Sequence, residues 1–186
     1  MLESQTSSSA IRTIAGILCL FIIGCSKPPP ISANLTPKTA AKISVHSPQF
    51  ADGQTIPAAN TADGGSKPPE MSWTGEPPGT QSVALIVDDS DANGFVHWIV
   101  YNVPAGANKI DTGTPSGSAQ GKNGQGGSEY YGPHPPPGKP HHYHFHVYAL
   151  DSRLSLDPGA SKDELLGAMS GHVLADGELV GVFESH

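Results

Sequence analysis

Cysteine is almost absent from this chain: Cys19 and Cys25 are the only two among 186 residues. Cys19 lies inside the one apolar run and Cys25 follows it, so a domain beyond that run has no thiol pair to cross-link. Its stability must come from packing. Positive charge is scarce as well, with ten Lys and Arg against seventeen Asp and Glu, a formal net charge of −7. Nucleic acid is thereby excluded as a partner class, because phosphate binding needs concentrated cations. Long hydrophobic runs are also missing. The apolar stretch from Thr13 to Gly24 has twelve residues, whereas a membrane-crossing helix takes about 20. No solenoid-type repeat is found.

What the chain has in quantity is glycine (22) and proline (18). Both favour turns over long helices, which points to a mostly β fold. With 37% hydrophobic and 15% charged residues, neither general disorder nor a multi-span membrane protein fits.

The apolar run follows Arg12 and ends on a small residue, which suits an export signal over residues 1–24. Ile22-Ile23-Gly24-Cys25 resembles a bacterial lipobox, in which Cys25 carries lipid after cleavage; an ordinary secretory signal with an incidental Cys25 is the alternative, as is a buried core segment. Prolines at 28, 29, 30 and 37 make residues 25–41 a semi-rigid spacer. The domain proper is expected over residues 42–186. The expected location is the bacterial cell envelope, through a lipid anchor, or else the periplasm or exterior as a soluble protein.

Four segments have strand character: Gln81 to Val87, Phe95 to Asn102, His142 to Leu150 and Glu178 to Glu184. Shorter ones are expected over 43–45 and 55–57. Strict alternation along the second strand places Phe95, His97, Ile99 and Tyr101 on one face and Val96, Trp98 and Val100 on the other. A helix is expected over 161–175: Ser161 and Glu164 have capping-box spacing, and Leu165, Met169 and Val173 recur every four residues. The Gly/Ser/Asn-rich stretch from Ala105 to Tyr130 reads as a long surface loop.

Three places carry candidate chemistry. Asp88-Asp89-Ser90-Asp91-Ala92-Asn93-Gly94 follows a strand; within it Asp89, Asp91, Asn93 and Gly94 match the first half of a calcium loop, but Val100 occupies the twelfth position from Asp89, where a bidentate Glu is needed. It also reads as an Asx-rich turn, with repulsion among its carboxylates that calls for a cationic or donor partner. His97 follows on the next strand, either as a core histidine or as a group tuned by that acidic turn. Finally, the loop Tyr131-Gly132-Pro133-His134-Pro135-Pro136-Pro137-Gly138 leads into a strand on which His141, Tyr143 and Phe145 share one face. His142, His144 and His146 share the other, at a spacing that suits Zn²⁺ if that face is exposed. If it faces the core, these histidines need hydrogen-bond partners.

At these residues the sequence resembles the phosphatidylethanolamine-binding protein family, also called Raf kinase inhibitor-like, in its short bacterial form. The resemblance runs from about Ser47 to the C-terminus. It rests on Ser47-Pro48-Gln49-Phe50 with Asp52-Gly53 and Ile56-Pro57, Ser72-Trp73, Asp89-x-Asp91-Ala92, His97-Trp98, Gly132-Pro133-x-Pro135-Pro136 and His141-x-Tyr143-x-Phe145. It implies an antiparallel β-sandwich-like fold with long loops and one helix in the C-terminal region. It also implies a small pocket for phosphate, acetate or a phospholipid head group, with Asp89, His97, Gly132, His134, His141 and Tyr143 as the matching ligand-binding positions. Asp89 would orient or protonate a histidine, or meet the ammonium of a head group. This sequence departs from the family in having Ser90 and Asn93 in place of prolines, His134 in place of Cys or Gly, and His142 in place of Arg.

A non-catalytic binding protein is the function expected on these grounds, with no cofactor and with a small anion or phospholipid head group as ligand. An inhibitory module for a kinase or protease is the alternative, although the sequence selects no protein partner. A hydrolase is the third reading; no G-x-S-x-G elbow or HExxH helix is present, and Asp89 with His97 or His141 is the one acid/base pair on offer.

Overall fold

The computed structural model describes Met1, residues 35–111 and residues 113–185. The expected export signal, Cys25 and the spacer as far as residue 34 lie outside these residues. In chain order the strands are β1 (Ser44–His46), β2 (Gln54–Thr55), β3 (Met71–Thr74), β4 (Ser82–Asp89) and β5 (Phe95–Pro104). They continue with β6 (Lys109–Ile110), β7 (Ala119–Gln120), β8 (His141–Leu150) and β9 (Val173–Phe183), and α1 (Lys162–Met169) precedes β9. The larger sheet has the order β2-β9-β8-β4-β5-β7 and the smaller the order β1-β3-β6.

Every residue of β4 is buried, as its unbroken Val-Ala-Leu-Ile-Val run requires of a strand covered on both faces. On one face, Val83, Leu85 and Val87 of β4 join Phe145 and Val147 of β8 and the side chains of Val45, Met71 and Trp73 from the smaller sheet. On the other, Ala84 and Ile86 join Ile99, Tyr101 and Leu150 beneath Leu165, Leu166 and Met169 of α1. The fold is mostly β and sandwich-like, with a single α-helix among the described residues laid on the outside of the larger sheet.

Two local features differ from the pattern read along the chain. The helix ends at Met169, and Val173 opens β9 instead of completing a helical stripe. Gly171, at φ +76°, turns the backbone there through a left-handed conformation that glycine adopts without a Cβ clash. The alternation along β5 is also broken. Val87 pairs with Trp98 while Asp88 pairs with Val96, so His97 is the extra residue of a β-bulge. A second irregularity lies between Val100 and Val103, where Asn102 takes φ +57°. Phe95 and His97 therefore do not share a face with Ile99 and Tyr101, which lie in the core under α1.

The long 105–130 connection has anchors of its own: β6 buries Ile110 completely, and β7 pairs with Val100 and Tyr101. Ahead of β1, the amides of Lys38 and Thr39 donate to the carbonyls of Val173 and Leu174 at 2.9 and 3.2 Å. Lys38 and Thr39 thus lie along the start of β9.

At the start of α1 the capping box is formed: Ser161 Oγ accepts from the Glu164 amide at 3.3 Å, and Glu164 Oε2 accepts from the Ser161 amide at 2.8 Å. Ser161→Ala removes one side of this exchange. It is expected to lower unfolding free energy by about 1 kcal/mol, read from the urea midpoint at unchanged slope.

Candidate functional site

The acidic turn, the bulged histidine and the proline loop meet at one end of the larger sheet. Asp89 ends β4, and its Oδ1 accepts from the amides of Asp91 and Ala92 at 2.8 and 3.2 Å, capping a 3₁₀ turn over Ser90–Ala92. Its Oδ2 accepts from His141 Nδ1 at 2.7 Å. Both residues are buried, Asp89 to 3% and His141 to 6% relative exposure, so this pair is shielded from water and from salt. The neighbouring carboxylates find separate partners. Asp88 points to the opposite face and binds Lys162, while Asp91 Oδ2 accepts from the ring and the amide of His142 at 2.8 and 2.9 Å. Those contacts hold Asp91 below the usual carboxylate range, the ring bond first. The repulsion expected of three close aspartates is thus resolved by sending them to three partners.

The bulge in β5 turns His97 toward Tyr143 of β8, with ring centroids 5.1 Å apart in an edge arrangement. His97 Nδ1 donates to the Tyr131 carbonyl at 2.6 Å, and the Tyr131 amide returns a bond to the His97 carbonyl at 2.9 Å. A carbonyl only accepts, so the Nδ1 proton is fixed and Nε2 is left for other work. Burial holds the His97 pKa below its ordinary value, against the pull of the Tyr131 carbonyl and of Asp89. Tyr143 is 1% exposed. Its hydroxyl is a buried polar atom with no partner at hydrogen-bonding geometry; burial first, then the charge and close approach of the Asp89 carboxylate, push its pKa up.

These groups surround a cavity of about 240 Å³ whose lining includes Asp89, His97, His141 and Tyr143 together with Phe95 and Tyr131. His134, Pro135 and Pro136 also contribute. The His134 side chain is 55% exposed and its Nδ1 lies 3.3 Å from Asp63. Gly132, by contrast, is absent from the lining. A Cβ there would lie 2.5 to 2.7 Å from backbone atoms of residues 60–62, and its amide donates to Ser66 Oγ at 3.0 Å. Glycine at this position lets two backbones pack closely.

Tyr131, Phe95 and Gln125 are lining residues that reasoning from the sequence did not single out as binding positions. Tyr131 had a visible signal, since it opens the proline loop. Phe95 and Gln125 had none, because the bulge and the 121–127 backbone bring them in: Gly124 donates to the Val96 carbonyl at 2.8 Å. A larger depression of about 810 Å³ lies on the opposite side of the sheet, bordered by Asp88, His146, Lys162 and Glu178. It shares no residue with the smaller cavity, which alone joins the buried Asp–His pair to an unpartnered donor.

Residues 46–184 match the sequence model of the phosphatidylethanolamine-binding protein family. The chain belongs to that family. Among its relatives is a UPF0098 protein of Methanothermobacter thermautotrophicus, 43% identical over 142 residues that cover 72% of this chain and 93% of the other. The Mycobacterium tuberculosis protein LppC, whose name marks it as a candidate lipoprotein, is 39% identical over 154 residues, 80% of this chain and 76% of its own. Escherichia coli YbcL, described as a member of the mammalian PEBP family, superposes with a TM-score of 0.74 at 30% identity, over 78% of this chain and 100% of its own. In this member of the family, the cavity at the end of β4 collects five of the six positions that the resemblance implied, and Gly132 lies outside its lining.

Two outcomes follow from the geometry. Asp89→Ala leaves His141 without its buried partner and uncaps the 90–92 turn, so it is expected to cost about 3–5 kcal/mol, measured by urea unfolding. Separately, His97 prefers its neutral form when folded. The unfolded chain takes up its proton near the ordinary value of 6.5, while the folded chain does so at a lower pH. Stability therefore falls as pH drops below that value, and this part of the pH profile is expected to flatten in His97→Gln.

Proposed function

We propose that this protein is a non-catalytic binding protein whose cavity takes a small anion or a phosphorylated head group, and that lipid on Cys25 holds it at the cell envelope. Family membership fits a non-catalytic binding role. The observation that carries the ligand class is the Tyr143 hydroxyl, buried and unpartnered on the wall of a cavity that His97 and His141 also line. A buried donor without an acceptor costs about 1–3 kcal/mol, and a ligand oxygen removes that cost. Both imidazoles spend Nδ1 on protein oxygens, which reserves both Nε2 atoms for the ligand. As imidazolium each donates to an anion; as neutral imidazole each accepts from a protonated phosphate oxygen.

Size restricts the ligand further. A cavity of about 240 Å³ is smaller than the roughly 300–1,000 Å³ of pockets for drug-sized ligands, so a head group fits and acyl chains stay outside. The Phe95 and Tyr131 rings, 6.2 Å apart, offer faces to an ammonium group, and Asp89 offers charge. For the anchor, the support is the Ile22-Ile23-Gly24-Cys25 motif and the name of the mycobacterial relative. Each buried CH₂ of an acyl chain adds about 0.8 kcal/mol to membrane binding.

Titration with phosphate and with phosphoethanolamine, followed by amide NMR, is expected to shift resonances around His97, His141 and Tyr143. Tyr143→Phe removes one neutral donor and is expected to weaken binding by about tenfold. Unmoved resonances at millimolar ligand would remove this reading. Fractionation of cells expressing Cys25→Ser tests the anchor, with release from the membrane expected.

A further inference from the structure

On the face of the larger sheet away from the cavity, two histidines and a glutamate converge in a way the anion site does not use. His144 and His146 are two residues apart on β8, so their side chains rise from the same face. Glu178 on β9 stands in register with His146, and Asp88 on β4 stands in register with His144. Three adjacent strands of a rigid sheet therefore set the positions. The two imidazoles stack with centroids 5.7 Å apart and planes inclined by 12°. Both aim Nδ1 at one oxygen: Glu178 Oε1 lies 2.8 Å from His144 Nδ1 and 3.2 Å from His146 Nδ1.

We propose that His144, His146 and Glu178 form a binding site for a divalent transition metal of the Zn²⁺ type. One ligand atom from each residue lies within 4.8 Å of the others. Tetrahedral Zn²⁺ with bonds of about 2.0–2.1 Å places its ligand atoms roughly 3.3 Å apart, so small rotamer changes close the set. Two imidazoles and one carboxylate are a donor set suited to zinc and its neighbours, and poorly suited to calcium or magnesium, which take oxygen. The His142-His144-His146 triad that spacing along β8 allowed is not the set that assembles. His142 turns to Asp91, and Glu178 from the neighbouring strand stands where a third ligand is needed.

The surroundings supply the second requirement of a metal site, partners for the far side of each imidazole. His144 Nε2 is 3.0 Å from Ser90 Oγ, and His146 Nε2 is 3.6 Å from Asp88 Oδ1. With metal on both Nδ1 atoms, each Nε2 carries a proton and faces an oxygen that can accept it. Asp88 is itself held by Lys162. His146 and Glu178 border the 810 Å³ depression, from which water or a donor from another molecule would complete the shell of a bound ion. A bound ion would pin β9 to β8 on the side opposite the cavity.

Isothermal titration of the full chain in mild detergent with Zn²⁺ is the test. One ion per chain is expected, lost in His144→Gln, His146→Gln and Glu178→Gln and kept in His172→Gln, a histidine elsewhere on the surface paired with Asp151. Asp88→Asn is expected to weaken binding by about 10- to 100-fold. Nitrogen-15 NMR of the unsubstituted protein gives a readout that needs no variant: Zn²⁺ should move the Nδ1 resonances of His144 and His146 and leave His97 unmoved. No binding at 100-fold molar excess, or binding undiminished in the three ligand variants, would overturn the proposal.

Discussion

The buried contact between Asp89 and His141 is the interaction on which the rest of this end of the molecule depends. One carboxylate does three things at once. It ends β4, caps the 90–92 turn through two amides, and holds the His141 ring at 2.7 Å. Because the turn is capped, Asp91 is placed to receive the ring and amide of His142, which fixes the opening of β8. A charge taken this far from water is tolerable only with such partners. The pair therefore constrains the backbone of the acidic turn and the tautomer of the imidazole together.

Around that contact, the sheet sorts neighbouring residues into two environments. Consecutive aspartates at the end of β4 face opposite ways, as a two-residue period demands. Asp89 meets the cavity, whereas Asp88 meets the outer histidine face. Burial alone would raise the Asp88 pKa, yet bonds from His146 and Lys162 outweigh it and bring it down to about 2. β8 divides its aromatic side chains in the same manner, with His141, Tyr143 and Phe145 toward the cavity and inner core and the remaining histidines on the opposite face, where His146 borders the outer depression. One stretch of ten residues thus presents different side chains to the cavity and to the opposite face of the sheet.

Rigidity comes from the packing behind these strands. The Trp73, Phe145 and Val87 layer is fully buried, and residues 121–131 are tied to β5 by amides of Gly121, Gly124 and Tyr131. Such a frame can hold an unpartnered Tyr143 hydroxyl in place without letting it collapse onto a neighbour. An unsatisfied donor is costly in a core, and its retention at a cavity wall is the physical basis of the ligand proposed for it.

Much of this was legible along the chain. The apolar runs that became β4, β5 and β8 are strands because β-branched and aromatic residues suit a covered, pleated surface. The capping box marked the start of α1. The motifs around Asp89, His97 and His141 were sufficient to bring the family into view, and with it five of the residues now found around one cavity. Tertiary structure decided what periodicity could not. The bulge at His97 reversed the faces of β5, since an inserted residue leaves no mark in composition. Gly132 became a packing residue because the backbone of 60–62, some seventy positions away in sequence, presses against it. Glu178 replaced His142 beside His144 and His146 because register between β8 and β9 is set by the whole sheet, and a local spacing on one strand carries no information about its neighbour.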